Sequence, residues 1–396
     1  MQTVYFDNSA TTRPSAAAIA EMTRTLESAW GNPSSTHSMG CEAHSALLLA
    51  RRRVLSALGI KATDAKEENL IFCSGGTEAD NLAILGCARA KRALRGGKLI
   101  TTDSEHPAVL RPMSALEKEG FRVAYLPTRG GVVDMEVLAR EMTADTFFVS
   151  VMLVNNETGA VNDVRAISDF VKSVNSECIV HTDAVQGFLK MPFSPQSLGA
   201  DLVTVSSHKI HGPKGVGALY VSPYLVKRRA LSPVLFGGDQ EGGIRSGTEN
   251  LPGIAGFGAA AEEGHRRLSE HIAHMTELRS YLIEAMQADR VLSSVAVNQP
   301  QTPMTAPHIL SIRLPAIKSE TMLNYLSGRG IAVSAGSACA AQSGRVSPTL
   351  LKFGLRESEA DATLRISLCV DNTKEEADLF LESLRTGVSM LARMKR

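Results

Sequence analysis

The strongest constraint on the fold is an alternation that fills the first two thirds of the chain. Short apolar, β-prone runs recur at LIFCS (70–74), KLITTD (98–103), RVAYLP (122–127), TFFVSVMLV (146–154), ECIVHTD (177–183), ADLVTVSS (200–207) and GVGALYV (215–221). Helical patterns lie between several of them, as in GGTEADNLAILGCARAKRAL, which closes at Gly96-Gly97, and VLRPMSALEKEG. An earlier helical pattern over 40–58 ends at Gly59, a residue suited to a helix C-terminus. Near-continuous apolar runs are what strands need when both faces are covered. The alternation therefore predicts an α/β fold with a mostly parallel sheet sandwiched by helices.

The grammar changes near residue 255. FGAAAEEGHRRLSEHIAHMTELRSYLIEAMQ reads as one long helix, HILSIRL (308–314) as a strand, SETMLNYLSGRG as a helix and ATLRISLCV (362–370) as another strand. TKEEADLFLESLRTGVSMLARM closes the chain as an amphipathic helix with acidic residues in its first turn. The expected organisation is a large domain over 15–255 and a smaller α+β domain built from 1–14 and 256–396.

Charge and cysteine content narrow the function. Lys+Arg is 42 and Asp+Glu 41, a net charge of +1, so no bulk electrostatic footprint points to nucleic acid or an anionic membrane. The run Arg51-Arg52-Arg53 is read as a solvated helix face, because no aromatic or glycine residues are interleaved with it. The six cysteines, Cys41, Cys73, Cys87, Cys178, Cys339 and Cys369, form no CxxC pair, which argues against a zinc ribbon, a thioredoxin-like site or a disulfide scaffold. The N-terminus MQTVYFDNSA shows no secretory pattern and no stretch is long and apolar enough to span a bilayer, so a reducing cytoplasm is expected, with most thiols acting as buried small hydrophobes.

In open α/β sheets ligands gather where strands end. After LIFCS comes SGGTEADN, in which Gly76 admits close backbone approach and Thr77 adds a hydroxyl at the positive end of a helix dipole, a phosphate-cup pattern that could equally be a glycine turn with a threonine cap. After KLITTD comes His106, followed by Pro107. Asp183 ends an apolar strand, where a carboxylate is costly unless paired with a group such as a protonated heterocycle nitrogen, or used as a helix cap. HKIHGPKG places Lys209 just past a buried strand, where desolvation can make an amine nucleophilic. His208 and His211 spell HxxH, but no third ligand of suitable spacing is visible, so no metal site is expected. A lysine for a Schiff base, an aspartate for a ring nitrogen and a phosphate cup together are the parts a pyridoxal phosphate enzyme needs.

The motifs DNSATT (7–12), GNPSS (31–35), SGGTEADN, SEHPAVL, VNNETG (154–159), HTDAVQ (181–186), SSHKIHGPKG, IRSGTEN (244–250), SAGSACAA (334–341) and LRISL (364–368) carry a further inference. In order and spacing the chain resembles a cysteine desulfurase of the class V aminotransferase group, within the fold type I pyridoxal phosphate-dependent transferases. The resemblance implies that pyridoxal 5′-phosphate is the cofactor, bound through Lys209. It implies that His106 stacks on the ring, Asp183 pairs with the ring nitrogen, and Gln186 and Asn156 contact the ring hydroxyl side. Gly76, Thr77, Ser206 and His208 would hold the phosphate, and Thr248 would reach the phosphate of the other subunit of a homodimer. Arg365 would grip the substrate carboxylate, beside Asn156, as its planar fork suits.

Cys339, in a run of small residues, matches the family's persulfide-forming cysteine. The implied reaction converts L-cysteine to L-alanine and passes sulfur to protein acceptors such as an iron–sulfur scaffold or a tRNA-thiolation enzyme. Selenocysteine lyase, cysteine sulfinate desulfinase or transaminase activity, or a non-catalytic scaffold, remain open on the sequence. Two departures from the family pattern are visible: Asp239 follows Phe236-Gly237-Gly238 where a third glycine is common, and AAQSGRVSP replaces a serine-rich run after Cys339. The spacing from Cys339 to Arg365 resembles members that hand sulfur to several partners.

Overall fold

The computed structural model describes residues 3–61, 63, 64, 66–90, 96–336 and 346–393; Cys339 lies outside the described residues. Its strands are β1 (Val4–Tyr5), β2 (Leu70–Cys73), β3 (Lys98–Thr102), β4 (Arg122–Leu126), β5 (Thr146–Ser150), β6 (Ile179–Asp183), β7 (Leu202–Ser206), β8 (Gly217–Val221), β9 (Ala296–Val297), β10 (Ile309–Arg313), β11 (Ile331–Ala332) and β12 (Thr363–Ser367). The longer helices are α1 (Ala16–Ser28), α2 (Ser38–Ala57), α3 (Gly76–Ala90), α4 (Pro107–Lys118), α5 (Met135–Glu141), α6 (Val164–Val174), α7 (Leu251–Arg266), α8 (Leu268–Ala288), α9 (Ser319–Ser327) and α10 (Lys374–Arg393).

Seven strands form the main sheet in the order β2-β8-β7-β6-β5-β3-β4. The ladders from β7 through β6, β5 and β3 to β4 are all parallel, as expected from the alternation with helices. β8 is the exception and pairs antiparallel with both β7 and β2. Only residues 207–216 separate β7 from β8, too few for a crossover helix, so the chain must reverse there. That reversal carries Lys209.

Every residue of β2, β5, β6, β7 and β8 is buried. One apolar cluster joins this sheet to α1, α2 and α7 through residues such as Ala50, Val54, Phe188, Val203 and Phe257. A separate core surrounds the three-stranded antiparallel sheet β12-β10-β9 and includes Phe6, Leu282, Ile366 and Phe380. The N-terminus joins that second core, since β1 pairs in parallel with β11.

Three local expectations change. The segment read as one helix after 255 is two helices, α7 and α8, broken at Arg267, whose φ of −109° and ψ of 15° leave the helical region. TFFVSVMLV is a strand only through Ser150; 151–154 turn inward toward the site. Arg51 is not on a solvated face. It is 6% exposed, pairs with Glu241 at 2.7 Å and lies 4.9 Å over the Phe72 ring. Three adjacent arginines on a helix point in different directions at 100° per residue, and Arg51 is the one turned inward. Among the described residues no helix is long and apolar enough to cross a membrane. Cys41 is exposed, whereas Cys73, Cys87, Cys178 and Cys369 are buried.

Candidate active site

The ends of β2, β3, β6 and β7 converge on one cavity of about 270 Å³. One side, where the sequence places a phosphate cup, is lined by Gly76 and Thr77 at the start of α3 together with Ser206 and His208. The first N–H groups of a helix have no acceptor within it, so they face the cavity as donors. A Cβ on Gly76 would lie 2.8 Å from Val185 Cγ2, so only glycine lets the helix start approach this closely. Ser206 Oγ is buried with no hydrogen-bond partner.

His106, Asp183 and Gln186 form the adjoining wall, with Asn156 nearby. His106 is both cap and site residue: its Nδ1 accepts from Ala108 N at 3.1 Å, which leaves the proton on Nε2. Burial lowers its pKa and Lys209 lowers it further, while Asp183 acts the other way. Asp183 does not cap a helix; Oδ1 accepts from Val185 N at 2.9 Å within a tight turn. Burial raises the Asp183 pKa, and the facing His106 and Lys209 charges counter it. Gln186 Nε2 donates to Ser9 O at 3.0 Å, fixing its amide across the N-terminal segment. Burial and Lys209 push His208 down to about 4, so its ring is neutral and its Nδ1 sits 3.2 Å from Thr11 Oγ1.

Lys209 Nζ donates to the carbonyls of Ser9 and Ala10 at 2.6 and 2.7 Å. Arg365 reaches the same cavity from β12, is 2% exposed, and donates to Asn156 O at 2.9 Å and Asp7 Oδ1 at 2.8 Å. Asp7 also accepts from Ser334 Oγ at 2.8 Å. Glu157, next to Asn156, accepts from Ser347 Oγ at 2.6 Å, and Gly336 packs against the same carboxylate. The two flanks of the Cys339 segment are thus anchored beside the cavity. Thr248 lies outside it, exposed, in the loop ahead of α7.

Two buried acids, Asp80 and Asp183, line the cavity and a third, Glu105, is buried behind it; of these the sequence singles out only Asp183. Asp80 lines the cavity; burial and the Asp183 charge raise its pKa well above the usual carboxylate range, and its Oδ1 has no hydrogen-bond partner. His181 Nε2 lies 3.6 Å from that oxygen, and burial pushes His181 down to about 3. Glu105 accepts from Thr102 Oγ1 and Met152 N, both at 2.8 Å, and burial pushes it up to about 8. Burial and the Asp183 charge both act against ionisation of Asp80 and Glu105, so the three acids favour holding a proton among them. The signal for Asp80 is present in SGGTEADN, whose sequence reading rests on Gly76 and Thr77 alone.

The profile of the family described as aminotransferase class V matches residues 4–380. The chain belongs to that family. It is 36% identical over 98% of its length to a protein of Dictyoglomus turgidum named cysteine desulfurase IscS, of which it covers 95%. It is 38% identical over 96% of its length to a cysteine desulfurase IscS of Clostridium botulinum, of which it covers 93%. Among solved structures, a NifS-like protein superposes with a TM-score of 0.88 at 38% identity, covering 98% of this chain and 100% of that one. This family membership agrees with the fold and the mostly parallel sheet expected from the sequence.

The donor set fits the cofactor implied for such a fold. An orphaned Ser206 hydroxyl and a helix start kept open by Gly76 suit a phosphate ester. An aspartate beside a neutral histidine suits a protonated heteroaromatic ring, and Lys209 suits its aldehyde.

Proposed function

We propose that the chain is a cysteine desulfurase that uses pyridoxal 5′-phosphate, removes sulfur from L-cysteine and carries it as a persulfide on Cys339. One observation supports this above all: Asp183 and Arg365 on two strands, with Lys209 and His106 just past two others, line a single cavity. Gly76, Thr77, Ser206 and His208 would hold the phosphate, Asp183 the ring nitrogen, His106 the ring face, and Gln186 with Asn156 the hydroxyl side. When bound, the cofactor supplies an electron sink for charge that develops at the substrate Cα.

The chain's own groups supply the rest. Arg365 orients the substrate carboxylate with guanidinium hydrogens not used by Asn156 and Asp7. Lys209 Nζ, steered by the Ser9 and Ala10 carbonyls, removes the Cα proton. The Cβ–Sγ bond breaks, its electron pair stays with carbon, and the sulfur passes to the Cys339 thiolate. Carbon takes up a proton and leaves as alanine, so cysteine plus thiol gives alanine plus persulfide.

The proposed organisation is two units, 15–255 against 1–14 with 256–396. The packing of α7 on α1 and α2 argues for drawing the division nearer Arg267. We propose a homodimer in which Thr248 completes the partner's phosphate site; exposed Phe236 and Trp30, 77% and 64% accessible, suit a covered face. Sulfur acceptors such as an iron–sulfur scaffold or a tRNA-thiolation enzyme, and a reducing cytoplasm, complete the reading. The test is mass spectrometry of the protein after L-cysteine. Added sulfur should appear on Cys339 and be absent from Cys339→Ser, which should keep its cofactor. Desulfuration by that variant at the wild-type rate without added reductant would refute the role.

A further inference from the structure

A second cavity of about 1000 Å³ lies against the other side of the N-terminal segment. Ser9 and Ala10 line the cofactor cavity, whereas Asn8 and Thr11 line this one. In its wall a ring nitrogen of His211, Cys369 Sγ and a carboxylate oxygen of Asp371 all lie within 4.8 Å of one another. The HxxH pattern has separated, with His208 in the cofactor cavity and His211 here. The third ligand type that the sequence did not reveal comes from the end of β12.

We propose that His211, Cys369 and Asp371 form a binding site for a borderline-soft divalent metal ion of the Zn²⁺ class. His211 Nδ1 lies 3.0 Å from the Arg13 carbonyl and 3.8 Å from Asp371 Oδ2, both acceptors, so Nδ1 carries the proton and the lone pair is on Nε2. That is the arrangement in which metal-ligating histidines are usually held. Asp371 must swing from the Nδ1 side to share an ion with Nε2. His211 Nε2 is buried with no partner. A second imidazole in the same cavity wall, His271, is 9% exposed and also buries its Nε2 without a partner. Two orphaned imidazole nitrogens in one cavity wall, that of His211 in the cluster with the thiol, point to a missing electrophile, since each costs free energy while unmade.

The thiol is prepared in the same way. Backbone N–H groups of Asp371 and Asn372 point at Cys369 Sγ, and the Lys190 charge also favours its thiolate, although burial keeps the free thiol's pKa high. Turn N–H groups aimed at sulfur are outer-shell support for a thiolate ligand. Asp371, with a side chain 71% exposed, can swing to shorten the spread of ligand atoms toward the separations set by zinc bonds of about 2.0–2.3 Å. Binding forms a sulfur–metal bond and releases the thiol proton to solvent. His211 follows Lys209 by two residues and Cys369 follows Arg365 by four, so a bound ion would tie the β7–β8 reversal to the end of β12.

The test is anaerobic titration of the purified holoenzyme with Co²⁺, read as a difference spectrum against the ion-free enzyme. One Co²⁺ per chain should give visible d–d bands of tetrahedral cobalt and a thiolate-to-cobalt charge-transfer band, with Zn²⁺ displacing both. Cys369→Ser and His211→Gln should each lose the charge-transfer band or weaken binding at least tenfold, and Asp371→Asn should weaken it. The bands should persist in Cys41→Ser and Cys339→Ser. Zn²⁺ should raise the unfolding midpoint of the parent enzyme but not of His211→Gln. Bands that survive in both Cys369→Ser and His211→Gln, or vanish in Cys339→Ser, overturn the proposal. Should Cys369→Ser fail to fold, His211→Gln and Asp371→Asn decide the question.

Discussion

The buried Arg51–Glu241 pair offers a demanding test of how the Thr248 loop is held. Glu241 accepts from Arg51 Nη1 and Nη2 at 2.9 and 2.7 Å, and its Oε2 also accepts from Phe72 N at 2.9 Å. The two side chains are 7% and 2% exposed. Glu241 adopts a φ of +49°, in the left-handed region that non-glycine residues rarely enter, at a cost of about 1–3 kcal/mol that its contacts must offset. Arg51→Met strands a buried carboxylate with one N–H partner, and Glu241→Gln leaves a buried guanidinium without a counter-charge, its acceptors being the Leu70 carbonyl and an amide oxygen. Each should cost about 3–5 kcal/mol, the usual penalty for breaking a buried pair on one side.

The double variant removes both charges and should cost no more than the worse single change, because the uncompensated charge is gone. At an unfolding entropy of about 2.1 cal/mol/K per residue over 396 residues, a loss of 3–5 kcal/mol lowers the midpoint by roughly 4–6 °C for a cooperative transition. Urea unfolding followed by far-ultraviolet circular dichroism gives the four corners of the cycle, with equal slopes as the check on two-state behaviour. A loss under about 1 kcal/mol in Arg51→Met, or strict additivity in the double variant, would refute the reasoning and demote the pair to a bystander.

Two further outcomes follow from the site. Gly76→Ala places a Cβ 2.8 Å from Val185 Cγ2 and should weaken cofactor retention about tenfold in an absorbance titration, with Val185→Ala in the same chain restoring much of it. Glu105 is pushed up to about 8 in the fold from an ordinary 4.5, so the native state holds a proton that the unfolded chain loses; stability should fall as pH rises between these values and level off above them. Glu105→Gln keeps an acceptor for Thr102 and Met152, and its urea midpoint should be flatter with pH over that window; an unchanged slope would assign the effect to another group.

What the sequence made legible followed from local rules. Apolar runs alternating with helical patterns predicted the parallel core, because strands covered on both faces cannot afford polar alternation. Lys209, Asp183 and His106 stood out because each chemistry-bearing side chain directly follows such a run, at the sheet edge where ligands collect. Arg51 was misread because burial of one arginine among three depends on a partner 190 residues away. Asp80, Glu105 and His181 were hidden for the same reason: an acid becomes a proton store only when tertiary packing removes its water.

The N-terminal segment is where this limit matters most. DNSATT was notable only by resemblance, since six polar and small residues have no periodicity to read. In the fold, Asp7 holds Arg365, the Ser9 and Ala10 carbonyls hold Lys209, and Thr12 Oγ1 accepts from the backbone N–H of His211 at 2.7 Å. One strip of backbone therefore sets the separation between the amine that would move the substrate proton and the guanidinium that would hold its carboxylate. Arg365 sits on β12 of the smaller sheet, and Lys209 in the reversal that follows β7 of the larger one. The side chain of Asp7 and the carbonyls of Ser9 and Ala10 link the two, because the buried Arg365 and the half-buried Lys209 are cations that need acceptors close by. Their positions are thus coupled through electrostatic need rather than through packing, and a short polar strip suffices where an apolar interface would leave both charges unpaired.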